Sequence, residues 1–365
     1  MSIEWWSRTD SRPVATPFFS DEELADVRRF YGPGTRLGAR PTPLHRLPGL
    51  ATRIGVGELL VKDESSRFGL PAFKIVGAQY AIARLLAQPR QGRVTDLACA
   101  TAGNHGRAVA RAARELGLAA HVYVPVGTSQ LAVDALRSEG AHVVVTSDDY
   151  DKTVRLMADD AGDSGWTIVS DTAWDGYEQI PRWTMAGYTR ILEEAAQQWG
   201  DAPPDLVIVQ AGVGSLAGAV AGWLVAAFGQ SRPRLVVAEP AGAACVTRSL
   251  RAGELVTLPS CAPTTMACLR CGEVSPLAWR ALAPVVDAAI GITDDQAVEA
   301  REWLAHPSLD DPAILAGASG AAGLGALITL LRAAELSGLR DALRLSRSTR
   351  AMAIVTEGSG LFSTD

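Results

Sequence analysis

The stretch Leu206-Val-Ile-Val-Gln-Ala-Gly-Val-Gly-Ser-Leu-Ala-Gly-Ala-Val-Ala-Gly-Trp-Leu-Val-Ala-Ala-Phe228 decides the fold. It belongs to a run of 26 residues, Leu206–Ser231, that carries no charge. By length alone such a run could cross a bilayer. Its internal pattern argues otherwise. Leu206–Gln210 has the short apolar form of a buried strand, Gly212 and Gly214 interrupt it, and Leu216–Phe228 continues as a helix. A buried strand–loop–helix is expected, and no membrane partner.

The same alternation runs outward on both sides. Strands are expected at Glu58–Asp63, Leu97–Ala100, Ala120–Pro125, His142–Thr146 and Trp166–Ser170. Helices are expected at Phe73–Ala87, Asn104–Leu116, Ser129–Glu139, Tyr150–Ala161 and Ile180–Trp199. Beyond the central stretch come strands at Leu235–Glu239 and Ala351–Thr356. The first 40 residues read as irregular apart from an acidic helical piece near Asp21–Phe30. Short apolar strands alternating with helices imply an α/β fold, a parallel sheet covered on both faces. There is no tandem repeat and no low-complexity linker, so a second domain is expected as an insertion. The boundaries expected are 1–92 and 191–365 for a large domain and 93–190 for a small inserted α/β domain.

Composition narrows the function. The 365 residues are 48% hydrophobic and 20% charged, enough apolar content for a core and too little charge for a disordered chain. The net charge is −6. With no basic block, this argues against a nucleic-acid partner. The opening MSIEWWSRTD lacks a cationic region followed by an apolar stretch, so a cytoplasmic location is expected. Five cysteines are too few for a disulfide scaffold.

Lysine usage is the sharpest compositional fact. Only Lys62, Lys74 and Lys152 are lysines, against 31 arginines. A lysine that survives such a bias is a candidate for chemistry arginine cannot perform, because a guanidinium neither deprotonates nor forms an imine. Lys74 stands at a predicted helix start, where the helix dipole and partial burial are expected to lower its pKa. That environment suits a Schiff-base lysine. Lys62, in VKDES, is expected to pair with a neighbouring carboxylate, and Lys152 to face solvent.

Two loops follow predicted strands, where parallel sheets bind ligands. Cys99–Gly106 (CATAGNHG) offers Thr101, Asn104 and helix N-terminal N–H groups. Gln210–Gly218 (QAGVGSLAG) offers a glycine-freed cradle for phosphate. Taken alone the second could also be a dinucleotide loop, although the nearest acidic candidate, Glu239, is not at the expected distance. Cys261, Cys268 and Cys271 supply three thiols with no histidine nearby, short of the four ligands a closed zinc site needs, so no metal is expected. The run Ser147–Asp151 reads as a solvated turn and helix start. His45, His121, His142 and His306 carry no convincing sequence partner and read as structural.

Lysine, asparagine loop and glycine loop occur in that order. The pattern resembles the fold type II, tryptophan synthase β-like enzymes that use pyridoxal 5′-phosphate, and within them the diaminopropionate ammonia-lyase family. The matching stretches are PTPLHRLPGLA (41–51), VKDESSRFGLPAFKIVGAQYA (61–81), ATAGNHGRAVA (100–110), VYVPVGTSQ (122–130), DTAWDGYEQIPRWTMAGY (171–188), QAGVGSLAG (210–218), TTMACLRCGEVSPLAW (264–279) and VTEGSG (355–360). The resemblance covers roughly residues 18–360. RFGL-x-AFK and DTAW-x-GYE-x-IP separate this family from threonine dehydratases and cysteine synthases.

The resemblance implies two doubly wound α/β domains with the cofactor between them, and a homodimer. It implies that Lys74 forms an imine with the cofactor and takes the substrate's α-proton. Phe73 and Asn104 would contact the cofactor, Asn104 at its 3′-oxygen. Gly212, Val213, Gly214, Ser215 and Leu216 would hold the phosphate, and Thr356 would face the pyridine nitrogen. A hydroxyl there leaves that nitrogen unprotonated and favours elimination. Thr101, Ala102, Gly103 and His105 would line the substrate side, and Asp171 would serve as the acid for the β-leaving group. Cys245 and Cys271 stand where the family tends to carry cysteines, so a redox-sensitive pair is one reading and free thiols the other.

One departure bears on the substrate. The family's loop normally reads T-D-G-N-H-G, and here Ala102 replaces the aspartate. That aspartate could recognise a second amino group or act as a base opposite Lys74. The expected reaction is β-elimination from 2,3-diaminopropionate or a similar β-substituted amino acid, giving aminoacrylate, then pyruvate and ammonia. Three alternatives stay open: a β-replacement synthase, a sensor that keeps the cofactor pocket, and a nicotinamide-dependent dehydrogenase.

Overall fold

The computed structural model describes residues 3–9, 16–35, 41–89, 93–147 and 150–359. Its strands are β1 (Trp5–Ser7), β2 (Leu44–Arg46), β3 (Glu58–Asp63), β4 (Asp96–Ala100), β5 (Ala119–Val124), β6 (His142–Val145), β7 (Thr167–Ile168), β8 (Leu206–Gln210), β9 (Arg234–Pro240), β10 (Ala288–Ile292) and β11 (Arg350–Val355). The helices are α1 (Asp21–Phe30), α2 (Pro48–Ile54), α3 (Lys74–Leu86), α4 (Asn104–Leu116), α5 (Gln130–Ser138), α6 (Tyr150–Ser164), α7 (Gln179–Gln198), α8 (Ser215–Phe228), α9 (Cys245–Ala252), α10 (Pro276–Leu282), α11 (Asp294–Ala305), α12 (Ala318–Arg332) and α13 (Ser337–Ala342).

Among the described residues the strands form two sheets. The larger runs β1-β10-β9-β8-β11-β3-β2, parallel except for its two edges, β1 and β2. The smaller, β6-β5-β4-β7, is parallel throughout. Parallel strands need helical crossovers, which is why helices cover both faces. The pleat sorts the core. In β8, Val207 and Val209 face one cluster, built with α3, α7 and α8, while Leu206 and Ile208 face another, built with α12.

The central stretch is β8 followed by α8, both buried, as the reading of Leu206–Phe228 expects. No single helix among the described residues is long and apolar enough to cross a membrane. The pair Ala318–Arg332 and Ala334–Ala342 passes by length and composition only; it is bent by 88°, and α12 is buried against the large sheet.

Some boundaries and elements differ from the sequence reading. The strand expected at Trp166–Ser170 is only Thr167–Ile168, and α6 runs on to Ser164. The opening segment contributes an edge strand, β1, rather than only irregular chain. Residue 190 falls inside the continuous helix α7, and the strands of the small sheet span Asp96 to Ile168. The other domain edge, residue 92, lies outside the described residues, as do Asp148 and Asp149 of the acidic run.

The topology creates a crevice. In the small sheet β4 is followed by β5 on one side, while β7 flanks β4 on the other. In the large sheet β8 lies between β9 and β11. Chain connections diverge at such switch points, leaving room beyond the strands' carboxyl ends. The loops after β4, β7, β8 and β11 meet there.

Candidate active site

Lys74 is the first residue of α3. A tight turn delivers it: Arg67 and Leu70 exchange backbone hydrogen bonds of 2.8 and 2.9 Å around Phe68 (φ 52°) and Gly69 (φ 77°). Two successive positive φ values are the signature of a tight reversing turn. Arg111 Nη1 donates to the Phe68 carbonyl at 3.0 Å and holds this unusual backbone. Arg67 anchors the turn below. Its guanidinium donates to Glu64 (2.6 Å) and Glu194 (2.7 Å), and Lys62 donates to Glu194 (3.1 Å) and the Thr42 carbonyl (2.7 Å). Lys62, Glu64, Arg67 and Glu194 are all buried. Lys62 therefore pairs with a carboxylate, but with Glu194, 132 residues away, and not with a neighbour in VKDES. Lys152 is exposed.

Across the crevice, Asp171 follows β7 and its Oδ2 accepts a hydrogen bond from Lys74 Nζ, joining residues 97 apart. Burial opposes the Lys74 charge, but the Asp171 carboxylate outweighs it and holds the ammonium above its ordinary pKa. The expected lowering of the Lys74 pKa is thus not found: the carboxylate dominates burial and helix dipole. Burial alone would raise Asp171, yet Lys74, with His105, holds it well below the usual carboxylate range.

The asparagine loop sits beside this pair. Asn104 opens α4, and its Nδ2 donates to Glu357 at 2.7 Å with Cys268 Sγ at 3.7 Å. Burial raises the Glu357 pKa against its hydrogen-bond donors. His105 Nε2 donates to the Val169 carbonyl (2.9 Å), leaving Nδ1 3.9 Å from Asp171 Oδ2. Thr101 Oγ1 accepts from Gly103 N–H (3.1 Å), and Ala102 adds only a methyl group to this loop.

The glycine loop closes the other side. Gly214 has φ 90°. The first N–H of α8 bonded within the helix is that of Gly218, to the Gly214 carbonyl (2.7 Å), so Ser215, Leu216 and Ala217 present theirs forward. No side chain caps α8. Ser215 Oγ donates to the Asp171 carbonyl (2.6 Å), Ser275 Oγ accepts from Ala173 N–H (3.0 Å), and Ser275 N–H donates to the Val213 carbonyl (2.9 Å). These bonds tie the Asp171 loop to the glycine loop. Thr356 follows β11; its Oγ1 accepts from Gln210 Nε2 (2.7 Å), and its carbonyl accepts from Phe73 N–H (3.2 Å).

The family model described as "Pyridoxal-phosphate dependent enzyme" matches residues 35–343. The diaminopropionate ammonia-lyase of Escherichia coli (strain K12) is 39% identical over 360 residues, covering 94% of this chain and 90% of the relative. The chain belongs to the diaminopropionate ammonia-lyase family of pyridoxal-phosphate dependent enzymes. The holo crystal structure of the Escherichia coli enzyme superposes with a TM-score of 0.88 at 38% identity, covering 98% of this chain and 94% of that one. A second structure of that enzyme, in complex with an aminoacrylate-PLP azomethine reaction intermediate, gives 0.87 at the same identity and the same coverage.

In this family member the fold brings Lys74, Phe73, Thr101 to His105, Asp171, Gly212 to Leu216 and Thr356 to one crevice. Sequence reasoning gave no role to Gln210, Tyr188 or Glu357, and weighed Cys268 only as a metal thiol. The signal for Gln210 was a polar residue ending the all-apolar strand LVIVQ, and for Glu357 a carboxylate directly after a buried strand. Glu239 is no nucleotide ligand: its carboxylate accepts from Val246 and Thr247 N–H and from Thr247 Oγ1, at the start of α9. The described cysteines are free thiols, and Cys245 and Cys271 both flank Gly212. Among the described residues no group of three or more His, Cys, Asp or Glu is arranged to hold a metal. Three histidines read as lacking a partner have carboxylates: His45 with Asp63 (3.5 Å), His121 with Asp96 (2.9 Å) and His306 with Glu302 (3.5 Å). His121 also stacks between Trp166 (3.7 Å) and His142 (5.3 Å).

Proposed function

We propose that the chain eliminates the β-substituent of 2,3-diaminopropionate or a similar β-substituted amino acid, and that the released aminoacrylate hydrolyses to pyruvate and ammonia. The observation that carries this reading is the Lys74–Asp171 pair, set between an asparagine loop and an uncapped helix start. Bound pyridoxal phosphate supplies an aldehyde carbon for an amine and a conjugated ring that spreads negative charge.

The residues suit that group. The forward N–H groups of α8 and its dipole favour a phosphate. A Cβ at Gly212 would come within 2.9 Å of Cys271 Sγ, so only glycine lets the loop pass there. Asn104 Nδ2 directs its two N–H groups to Glu357 and toward Cys268 Sγ at 3.7 Å, the second a weak contact that a phenolic oxygen would replace. Thr356 Oγ1 accepts from Gln210, whose Nε2 can only donate, so the threonine proton is free for a ring nitrogen. Lys74, Phe73, Asn104, Gly212 to Leu216 and Thr356 would hold the cofactor.

Lys74 Nζ would take the α-proton and become an ammonium. In that state it meets the Asp171 carboxylate, as the structure holds it. Asp171 Oδ2 can then take that proton from the Lys74 ammonium and pass it to the departing β-nitrogen, which leaves as ammonia. His105, fixed by Val169, and Thr101 would orient the substrate carboxylate. Ala102 and Gly103 line the loop with no acid to act opposite Lys74, so the L-isomer is the preferred substrate. Ala102 also favours a second reading, β-replacement, because a neutral loop leaves space for an added nucleophile.

The resemblance further supports a cytoplasmic homodimer, with the four-stranded sheet and its helices as the smaller domain over the cofactor. The test is pyruvate release by the cofactor-loaded protein from L- and D-2,3-diaminopropionate and from L-serine. Release from the L-diamino acid, lost in Asp171→Asn, is expected. No release from any of the three, with cofactor bound, would overturn the elimination.

A further inference from the structure

The fold buries one hydroxyl that its packing does not need. Tyr188, in α7, is 0% exposed, and its phenolic oxygen makes no hydrogen bond of normal geometry, although Lys74 stands close enough to act on it. A buried hydroxyl without a partner is destabilising, and phenylalanine would fill the same slot without that cost. The ring is pinned. It packs on Phe73 at 4.8 Å, and at Gly77 the crossing of α3 on α7 is so close that a Cβ would fall 2.4 Å from Tyr188 Cε1. Lys74 Nζ lies 5.9 Å from the ring centroid. The charged groups that act on the phenol are Lys74 and Asp171. Those facing Lys74 are Asp171, Tyr188 and Cys268, and Asp171 in turn faces His105, Cys99, Cys271 and Tyr177.

We infer that Tyr188 is a positioning residue for Lys74: its hydroxyl is the second acceptor for the Lys74 ammonium once that group has taken the substrate's α-proton. The inference rests on the elimination reading and deepens it. Lys74 Nζ has one strong partner here, Asp171, and until the proton moves on that carboxylate must hold the ammonium alone. An ammonium short of acceptors in this half-buried place is costly. The phenol supplies one. In the step itself the Cα–H bond breaks, the proton goes to Nζ, and the electron pair stays on the substrate. One ammonium N–H then points to Asp171 Oδ2 and another to Tyr188 Oη.

The test is Tyr188→Phe in the cofactor-loaded enzyme. Melting temperature should be unchanged or higher, because an unpartnered buried hydroxyl is removed while the ring stays. Hydride reduction should still fix the cofactor on Lys74, which keeps the underlying cofactor assignment separate from this inference. kcat should fall about tenfold with KM little changed, the loss of one hydrogen bond to a charged group. The acidic limb of the kcat–pH profile should move to lower pH, because the Lys74 ammonium loses an acceptor. Wild-type kcat and pH limb, or a lower melting temperature with a matching loss of bound cofactor, would overturn the inference and leave Tyr188 a packing residue.

Discussion

Helices α3 and α7 cross at two glycines, and replacing one tests how tightly the catalytic lysine is placed. At Gly77 an added Cβ would meet Tyr188 Cε1 at 2.4 Å and Thr184 Cγ2 and carbonyl oxygen at 2.8 Å. Carbon atoms pack best at about 3.5 Å or more, so Gly77→Ala must part the helices by about 1 Å. The threonine carbonyl is backbone and cannot rotate away. Gly187 repeats the problem from the other side, with Val76 O at 2.8 Å and Gly77 Cα at 2.9 Å. Overpacking of this kind costs about 1–3 kcal/mol. Alanine's better helix propensity returns about 1 kcal/mol, so the net loss is at most about 2 kcal/mol. That corresponds to a melting temperature lower by at most about 8 °C. Activity should suffer far more. Lys74 lies less than one turn away, and a displacement of about 1 Å at a reacting group can cost about a hundredfold in rate. Calorimetry and pyruvate-release kinetics on Gly77→Ala measure both effects. Gly338→Ala, where nothing lies within 4 Å of the new Cβ, is the control. A Gly77→Ala enzyme with wild-type melting temperature and kcat would refute the close-crossing argument.

Two further outcomes are expected. Arg67→Met leaves Glu64 and Glu194 buried without their guanidinium, and urea unfolding should show a loss of about 3–5 kcal/mol; a change under about 1 kcal/mol would show that the network does not brace the turn before Lys74. Glu239 is fully buried, and burial lifts its pKa from 4.5 to about 7 against the Thr247 and Val246 donors. The folded state then binds more protons than the unfolded one between those values, so this group makes stability fall as pH rises from about 4.5 to about 7. Glu239→Gln should flatten that slope in denaturant midpoints across the pH range, and an unchanged slope would contradict the burial argument.

The sequence exposed strands whose residues state their own environment. LVIVQ and the Leu59–Val61 centre of ELLVKD are β-branched or leucine-rich, and both strands appear with the expected limits. Strand β10, AAIGI, was not legible, because small residues carry weak strand preference. It is a strand because β9 and β1 pair with it. The edge strands β1 and β2 are three residues long and antiparallel, too short for any period to show.

The site was legible in its parts and hidden in its connections. The scarcity of lysine pointed to Lys74, and the glycines after β8 to an anion cradle. That Lys74 meets Asp171 depends on how two sheets face each other, which no local pattern encodes. The partner of Lys62 was hidden in the same way, since Glu194 lies in α7. The sign of the Lys74 shift went wrong for that reason: a helix start and burial were visible, the opposing carboxylate was not.

The central claim is that Lys74 carries the cofactor. With three lysines in the chain, hydride reduction of the cofactor-loaded protein, followed by peptide mass mapping, decides among them. The account predicts a phosphopyridoxyl mass on the peptide containing Lys74, and none in Lys74→Ala. The label on Lys62 or Lys152, or its persistence in Lys74→Ala, would contradict it.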